Sequence, residues 1–396
     1  MHLKQLCRWV PATLALLPAL HAAGQQKAEK IALTGLHIIP VQGAEIASGT
    51  ILIEGGIIKS VAAGSAVPSG YRVVDLSGKT AVPGFVDANS RIGLKDNANE
   101  QYAEVTPEFR VVQQYRPYSI DVKRALQSGI TTLCLTPGSA NIVGGQCSVV
   151  KTDAESIETA TVRKNVAVRA ALGEDAFSGN GGFRSAGSNL TNIYLRRPNS
   201  KMASVFELRH ALSQAIRYPA LTRVVNGLAP LRVHARAAND IRAAVTIADE
   251  FHVRSLVIDD AIEATQVMDV LSSHHIPVVL GPFNDPQSFA PERTSALLNT
   301  AGLLADAGIR VAFGTGGGDE TLLRHAAISA VHGGMKPDAA LKAITRTAAE
   351  ISGVADRVGS LEAGKDADIL ILNGDPLDPT THIEKVLVNG RVVFSE

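Results

Sequence analysis

Neither sign of charge prevails in this 396-residue chain, where 38 lysines and arginines face 38 aspartates and glutamates. Such balance gives no electrostatic reason to bind nucleic acid or an anionic membrane, whose phosphates recruit strongly basic faces. Cysteine is scarce as well. Beyond Cys7 there are only Cys134 and Cys147, too few for a disulfide scaffold. Cys134 sits in the apolar run Ile130–Leu135, the setting of a buried strand thiol, and whether it pairs with Cys147 is left open. Nucleotide loops are also missing. No Gly-x-Gly-x-x-Gly follows a first strand, and Gly314-Thr-Gly-Gly-Gly318 lacks the Lys-Ser/Thr that a phosphate loop needs.

The apolar run Val10–Leu20 is too short to span a bilayer. Lys4 and Arg8 lie ahead of its core, and Leu20-His-Ala-Ala23 offers small residues for cleavage. Residues 1–23 therefore read as a secretory signal, with a periplasmic or extracellular destination and no membrane span after its removal. No Leu-x-x-Cys lipidation pattern accompanies it.

After this segment, short β-rich runs alternate with glycine turns from Lys30 to Ser60. The last stretch behaves similarly, with Asp368-Ile-Leu-Ile-Leu372, then Lys385-Val-Leu-Val, the turn Asn389-Gly390 and Arg391-Val-Val-Phe. Both ends are expected to build one β-sandwich module, residues 29–80 and 357–396. The middle, residues 81–356, alternates strand and helix. Candidate strands are Val82–Ala88, Ile130–Leu135, Val166–Leu172, Leu231–Ala235, Ser255–Asp260, Ile276–Leu280 and Arg310–Gly314. Between two of them, Ile241, Ala244, Val245, Ala248 and Phe251 form one helical stripe. Repeated strand–helix units over this length favour an α/β fold with a (β/α)8 TIM-like barrel. Residues 176–200, rich in Gly, Ser and Asn, follow a candidate strand, where a flap and a plain excursion are both compatible readings.

Three motifs carry a family resemblance. Asp356-Arg-Val-Gly-Ser-Leu-Glu-Ala-Gly-Lys-Asp-Ala-Asp-Ile-Leu-Ile-Leu372 resembles the C-terminal signature of the amidohydrolase superfamily, and Ala343-Ile-Thr-Arg-Thr-Ala-Ala349 resembles the helix before it. Thr136-Pro-Gly-Ser-Ala-Asn-Ile-Val-Gly-Gly-Gln146, with Lys151 and Ala171-Leu-Gly-Glu174, resembles the imidazolonepropionase-like branch. Val82-Pro-Gly-Phe-Val-Asp87 resembles the strand that runs into His-x-His in that superfamily, but here Asn89 and Arg91 stand at the histidine positions.

The resemblance implies a hydrolase of C–N bonds whose one or two divalent metals activate water, with a strand-eight Asp moving the proton. Carried over, it keeps Glu174 and His234, puts Asp260 in place of the strand-six His, and leaves Gly316 where the strand-eight Asp belongs. Asp319 is a candidate substitute for that Asp. An amide is a feeble zinc ligand and a guanidinium cannot coordinate, so the metal centre reads as degenerate at Asn89, Arg91 and Gly316. Two outcomes are compatible with what is left. In one, no metal binds, and Arg91 pairs with Glu174 or Asp260. In the other, one Zn2+ or Mn2+ sits on Glu174, His234 and Asp260 and supports hydrolysis of amides, cyclic amides or dipeptides. The first implies a weak or inactive hydrolase that binds a small-molecule ligand or partners an intact amidohydrolase. His274, His275, His325 and His332 read as helix-surface residues, and Lys151 as a polar strand end.

Overall fold

The alternating runs at the two chain ends join a single sheet in the computed structural model, which describes residues 29–94, 98–100, 103–177, 197–281, 299–317 and 319–396. The signal segment 1–23 and most of the loop 176–200 lie outside the described residues. Strands β1 (Lys30–Ile38), β2 (Ile46–Glu54) and β3 (Ile57–Ala63) form an antiparallel meander. The end sheet is mixed, because β4 (Arg72–Asp75) and β5 (Thr80–Pro83) both lie parallel to β1.

Eight strands of the barrel follow: β6 (Phe85–Ser90), β7 (Ile130–Leu135), β8 (Val143–Lys151), β9 (Thr161–Ala171), β10 (Leu231–His234), β11 (Leu256–Asp259), β12 (Val278–Leu280) and β13 (Val311–Phe313). They are neighbours in chain order. From β9 to β13 every pairing is parallel, as is β6 with β7. Strand β8 is the exception. It is antiparallel to both neighbours, so the TIM-like barrel carries one reversed strand that the candidate list omits. All nine of its residues are buried, so no polar face marks it as a strand by alternation.

The seam between the first and last strands is closed by glycine. Gly316 N–H donates to the Asn89 carbonyl at 2.9 Å. A Cβ on Gly314 would lie 2.7 Å from the Asn89 Cβ, closer than two carbons tolerate. The chain then leaves the barrel and re-enters the end sheet. There β14 (Ile369–Leu372) pairs antiparallel with β5, followed by β15 (Ile383–Val388) and β16 (Arg391–Ser395). Every residue of β14 is buried, as a continuous apolar run in a central strand requires.

The two sheets are also tied by charge. Lys151, 2 % exposed, directs its ammonium to Asp366 at 3.0 Å and to Asp368. This places Lys151 at the barrel end that faces the end sheet, as a buried ion-pair partner. In the barrel interior, Arg232 grips Asp259 through Nη2 to Oδ1 at 2.6 Å and Nε to Oδ2 at 3.0 Å. Arg169 pairs with the same carboxylate, and Arg232 also reaches the Ala88 carbonyl at 2.7 Å. The triad thus links β6, β9, β10 and β11 below the barrel mouth. No helix among the described residues is long and apolar enough to cross a membrane.

Candidate site at the barrel mouth

The C-terminal strand ends deliver five of the sequence-nominated positions to one place. Asn89 is the penultimate residue of β6, His234 ends β10, and Asp260 follows β11 directly. Asp260 adopts φ +60°, which turns its side chain out of the strand register. Its carboxylate is the hub of the site. His234 Nδ1 lies 2.6 Å from Oδ2, the Asn89 amide donates to Oδ1 at 3.1 Å, and Arg169 Nη2 is 3.6 Å away. Thr136 fixes the Asn89 amide from behind through a 2.7 Å bond to Oδ1.

The other ring nitrogen of His234 faces Asp175. Nε2 lies 2.6 Å from its Oδ2, and Arg236 Nε approaches that oxygen at 3.2 Å. Sequence reasoning assigned the middle-strand carboxylate to Glu174, but the neighbouring Asp175 makes the contact with His234. The 3-10 turn Glu174–Phe177 follows β9 and decides which of two consecutive acidic residues points at the histidine. Glu174 is half-buried on the same turn and has a partner of its own.

These contacts set the protonation states. Burial opposes a charge on His234, yet its bonds to Asp175 and Asp260 outweigh burial and raise its pKa. Burial would raise Asp260, but His234, Arg169 and Arg236 hold it down at about 2. Asp175 is lowered in the same way, by His234 and Arg236 against burial. The cluster is therefore a histidine held between two carboxylates that favour its charged form.

Arg91 does not make the carboxylate pair expected of it. Its Nε donates to the Gly316 carbonyl at 2.7 Å, and Nη2 donates to the same oxygen. Gly316 has φ +62°, a left-handed conformation that glycine adopts without strain and that brings its carbonyl to the guanidinium. The cations that do meet Asp260 are His234 and Arg169. Both arginines of the interior triad stood in plain view as single charges within apolar strand runs, Val166-Ala-Val-Arg169 and Leu231-Arg232-Val. That was the signal that could have nominated Arg169.

Asp319 is engaged in a local turn. It is exposed and closes a turn, accepting from Thr321 N at 2.8 Å and Thr321 Oγ1 at 2.7 Å. Those bonds lower its pKa. Another buried carboxylate, Asp87, does face the end of β13. It accepts from Thr315 N at 3.0 Å and Thr315 Oγ1 at 2.6 Å. Burial pushes it up to about 6 against those bonds.

With this geometry in place, relatives can be compared. A model of the amidohydrolase family matches residues 245–394. The amidohydrolase tasK of Hapsidospora irregularis is 23% identical over 398 residues, which cover 88% of this chain and 40% of that protein. The chain thus spans about two-fifths of that relative's length. An imidazolonepropionase of Thermoplasma volcanium is 39% identical over 66 residues, 15% of this chain and 16% of that protein. Among solved structures, an amidohydrolase from Thermotoga maritima MSB8 has a TM-score of 0.82 at 28% identity, covering 92% of this chain and 100% of its own. A prolidase complexed with n-methylphosphonate-l-proline shares the fold, with a TM-score of 0.61 at 18% identity over 93% of this chain and 100% of that one. The family model, the curated relatives and the solved structures agree in their resemblance to the amidohydrolase superfamily.

Members of that family usually bind divalent metals. A histidine ligand must offer a ring-nitrogen lone pair, and only the neutral ring has one. Both nitrogens of His234 are directed at carboxylates. No set of three or more His, Cys, Asp and Glu side chains among the described residues converges on a metal-binding geometry. As arranged, His234 has neither ring nitrogen free for a divalent ion.

Proposed function

We propose that this protein is an amidohydrolase-family member whose barrel mouth binds a small-molecule ligand without a catalytic metal, and that it is weak or inactive as a C–N bond hydrolase. The observation that carries this reading is His234, whose two ring nitrogens lie 2.6 Å from Asp260 and 2.6 Å from Asp175. With both ring nitrogens engaged by carboxylates, His234 has neither of them free to serve as a ligand. The position of the strand-eight Asp supports the same reading. Gly316 supplies only a backbone carbonyl there, and Arg91 uses it. No carboxylate at that position takes a proton from an attacking water, help typically worth ~10²–10⁴ in rate.

Metal content of protein purified without added metal tests this directly, beside a Glu174→Ala control. The expected result is substoichiometric Zn2+ and Mn2+ in both proteins, with no metal-stimulated hydrolysis of cyclic amides or dipeptides. One Zn2+ or Mn2+ per chain, lost in the Glu174→Ala variant together with hydrolytic activity, would instead establish a mononuclear enzyme on Glu174, His234 and Asp260.

The reading extends to location and company. We propose export to the periplasm or beyond on the strength of residues 1–23, which fractionation of cells expressing the full chain tests. We also propose that the protein acts beside an intact amidohydrolase. Co-expression and co-purification of the two test it, and separate elution of both chains sinks it.

A further inference from the structure

We propose that the mouth ligand carries an oxyanion, a carboxylate or phosphate group, and that Arg91 is the residue that receives it. This rests on the ligand-binding reading above and names the chemistry of the ligand. The acidic groups of the mouth are already engaged. Asp260 is shared by His234, Arg169 and Asn89, Asp175 by His234 and Arg236, and Asp259 by Arg232 and Arg169. Arg91 has no carboxylate partner among the described residues. Its hydrogen bonds go to one neutral acceptor, the Gly316 carbonyl.

A guanidinium placed this way is poorly compensated. Burial disfavours its charge, and repulsion from Arg169 and Arg236 adds to that, against attraction from Asp260 and Asp175. Gathering like charges in a partly dry place costs free energy that an incoming anion returns. The side chain is also held still. Gly316 fixes the edge formed by Nε and Nη2, which leaves Nη1 and the outer edge for a ligand. A planar fork with one edge anchored is preorganised for the two oxygens of a carboxylate or phosphate. The placement agrees, since ligands of barrel proteins gather at the C-terminal strand ends. Arg169 supplies a further observation, because its Nε is a buried donor without a partner among the described residues.

Thermal unfolding of the whole chain in sodium phosphate, sodium malonate and sodium chloride at matched ionic strength tests the proposal. The variants are Arg91→Gln, Arg91→Lys, and Arg310→Gln at the opposite end of the barrel. Phosphate or malonate is expected to raise the wild-type Tm above the chloride value, by an amount that grows with concentration. Phosphate alone acting assigns a phosphate ester, and malonate alone a carboxylate. Arg91→Gln is expected to lose the rise and Arg310→Gln to keep it. Arg91→Lys keeps a point charge without the fork, and its apparent affinity is expected to fall about tenfold. It carries the test if Arg91→Gln does not fold. No rise in the wild type, or the same rise in wild type and in both Arg91 variants, overturns the proposal. Zn2+ content measured on the same samples separates the two readings. Stoichiometric metal with an Arg91-dependent rise overturns the metal-free reading alone, and metal-free protein without the rise overturns the Arg91 assignment alone.

Discussion

The guanidinium of Arg91 lies on the Gly316 carbonyl, so the residue at a lost histidine position contacts the residue at the lost strand-eight aspartate position. Two departures from the family pattern, 225 residues apart in sequence, are one structural unit. Gly317 completes it. A Cβ there would lie 2.8 Å from the Arg91 Cβ and 2.9 Å from its Nε, at a backbone φ of +88°.

Gly317→Ala therefore meets two obstacles, a left-handed backbone and the arginine side chain. The expected loss of stability is about 1–3 kcal/mol from the backbone strain, with the collision added to it. In an Arg91→Gly background both contacts disappear and only the strain at Gly317 is left. Urea unfolding of the four proteins of this double-mutant cycle measures the coupling. Strictly additive losses would show that Arg91 does not rest on Gly317.

The interior triad allows a second expectation. Asp259 is fully buried and holds both Arg169 and Arg232. Replacing it by Asn removes the negative charge and leaves two buried guanidiniums facing each other. Breaking a buried ion pair by removing one partner typically costs about 3–5 kcal/mol. Asp259→Asn should lose at least that much in urea unfolding, or fail to accumulate as soluble protein. A variant of near wild-type stability would show that water already reaches the triad.

Much of the scaffold was legible because the end-sheet runs and the C-terminal motif are local signals, read without knowing the fold. The reversed strand β8 was not, since Val143–Lys151 is buried throughout and contains two adjacent glycines. The site was half legible. Asn89, His234 and Asp260 could be placed because strand ends fix their side chains. Asp175 could not be told from Glu174, because one 3-10 turn decides which carboxylate meets the histidine. The partner of Arg91 was misjudged for a related reason. A long side chain can reach a backbone carbonyl as readily as a carboxylate, and only the φ of +62° at Gly316 shows that the carbonyl is presented.

Cys134 and Cys147 are both buried and unpaired. Burial raises the pKa of each thiol, that of Cys147 to about 12, so the nucleophilic thiolate is scarce at neutral pH. Iodoacetamide is expected to leave both unmodified in the folded protein and to label both in 6 M guanidinium, as read by mass spectrometry. A reducing agent should leave Tm unchanged. Rapid labelling of either residue in the native state would contradict this burial.

The pH dependence of stability follows from the charged cluster. The pKa of His234 is raised from its ordinary 6.5, so its contribution is complete below that value and is lost as pH rises through the folded pKa. Asp260 runs the other way. Its pKa falls from 3.8 to about 2, so its contribution is present above 3.8 and is lost as pH falls towards 2. Asp87 has the opposite sign again. Its pKa rises from 3.8 to about 6, so the unfolded chain releases that proton first and stability declines as pH climbs between those values. The decline amounts to about 3 kcal/mol at most. Asp87→Asn removes that slope, and the stability of wild type relative to this variant should fall from pH 4 to pH 6 and then level off. For His234→Gln the comparison continues to higher pH. The advantage of the wild type should be largest near pH 5 and shrink as the imidazolium loses its proton. An advantage that instead grows from pH 5 to pH 7 would mean that His234 is neutral in the folded protein, which would free one ring nitrogen for a metal.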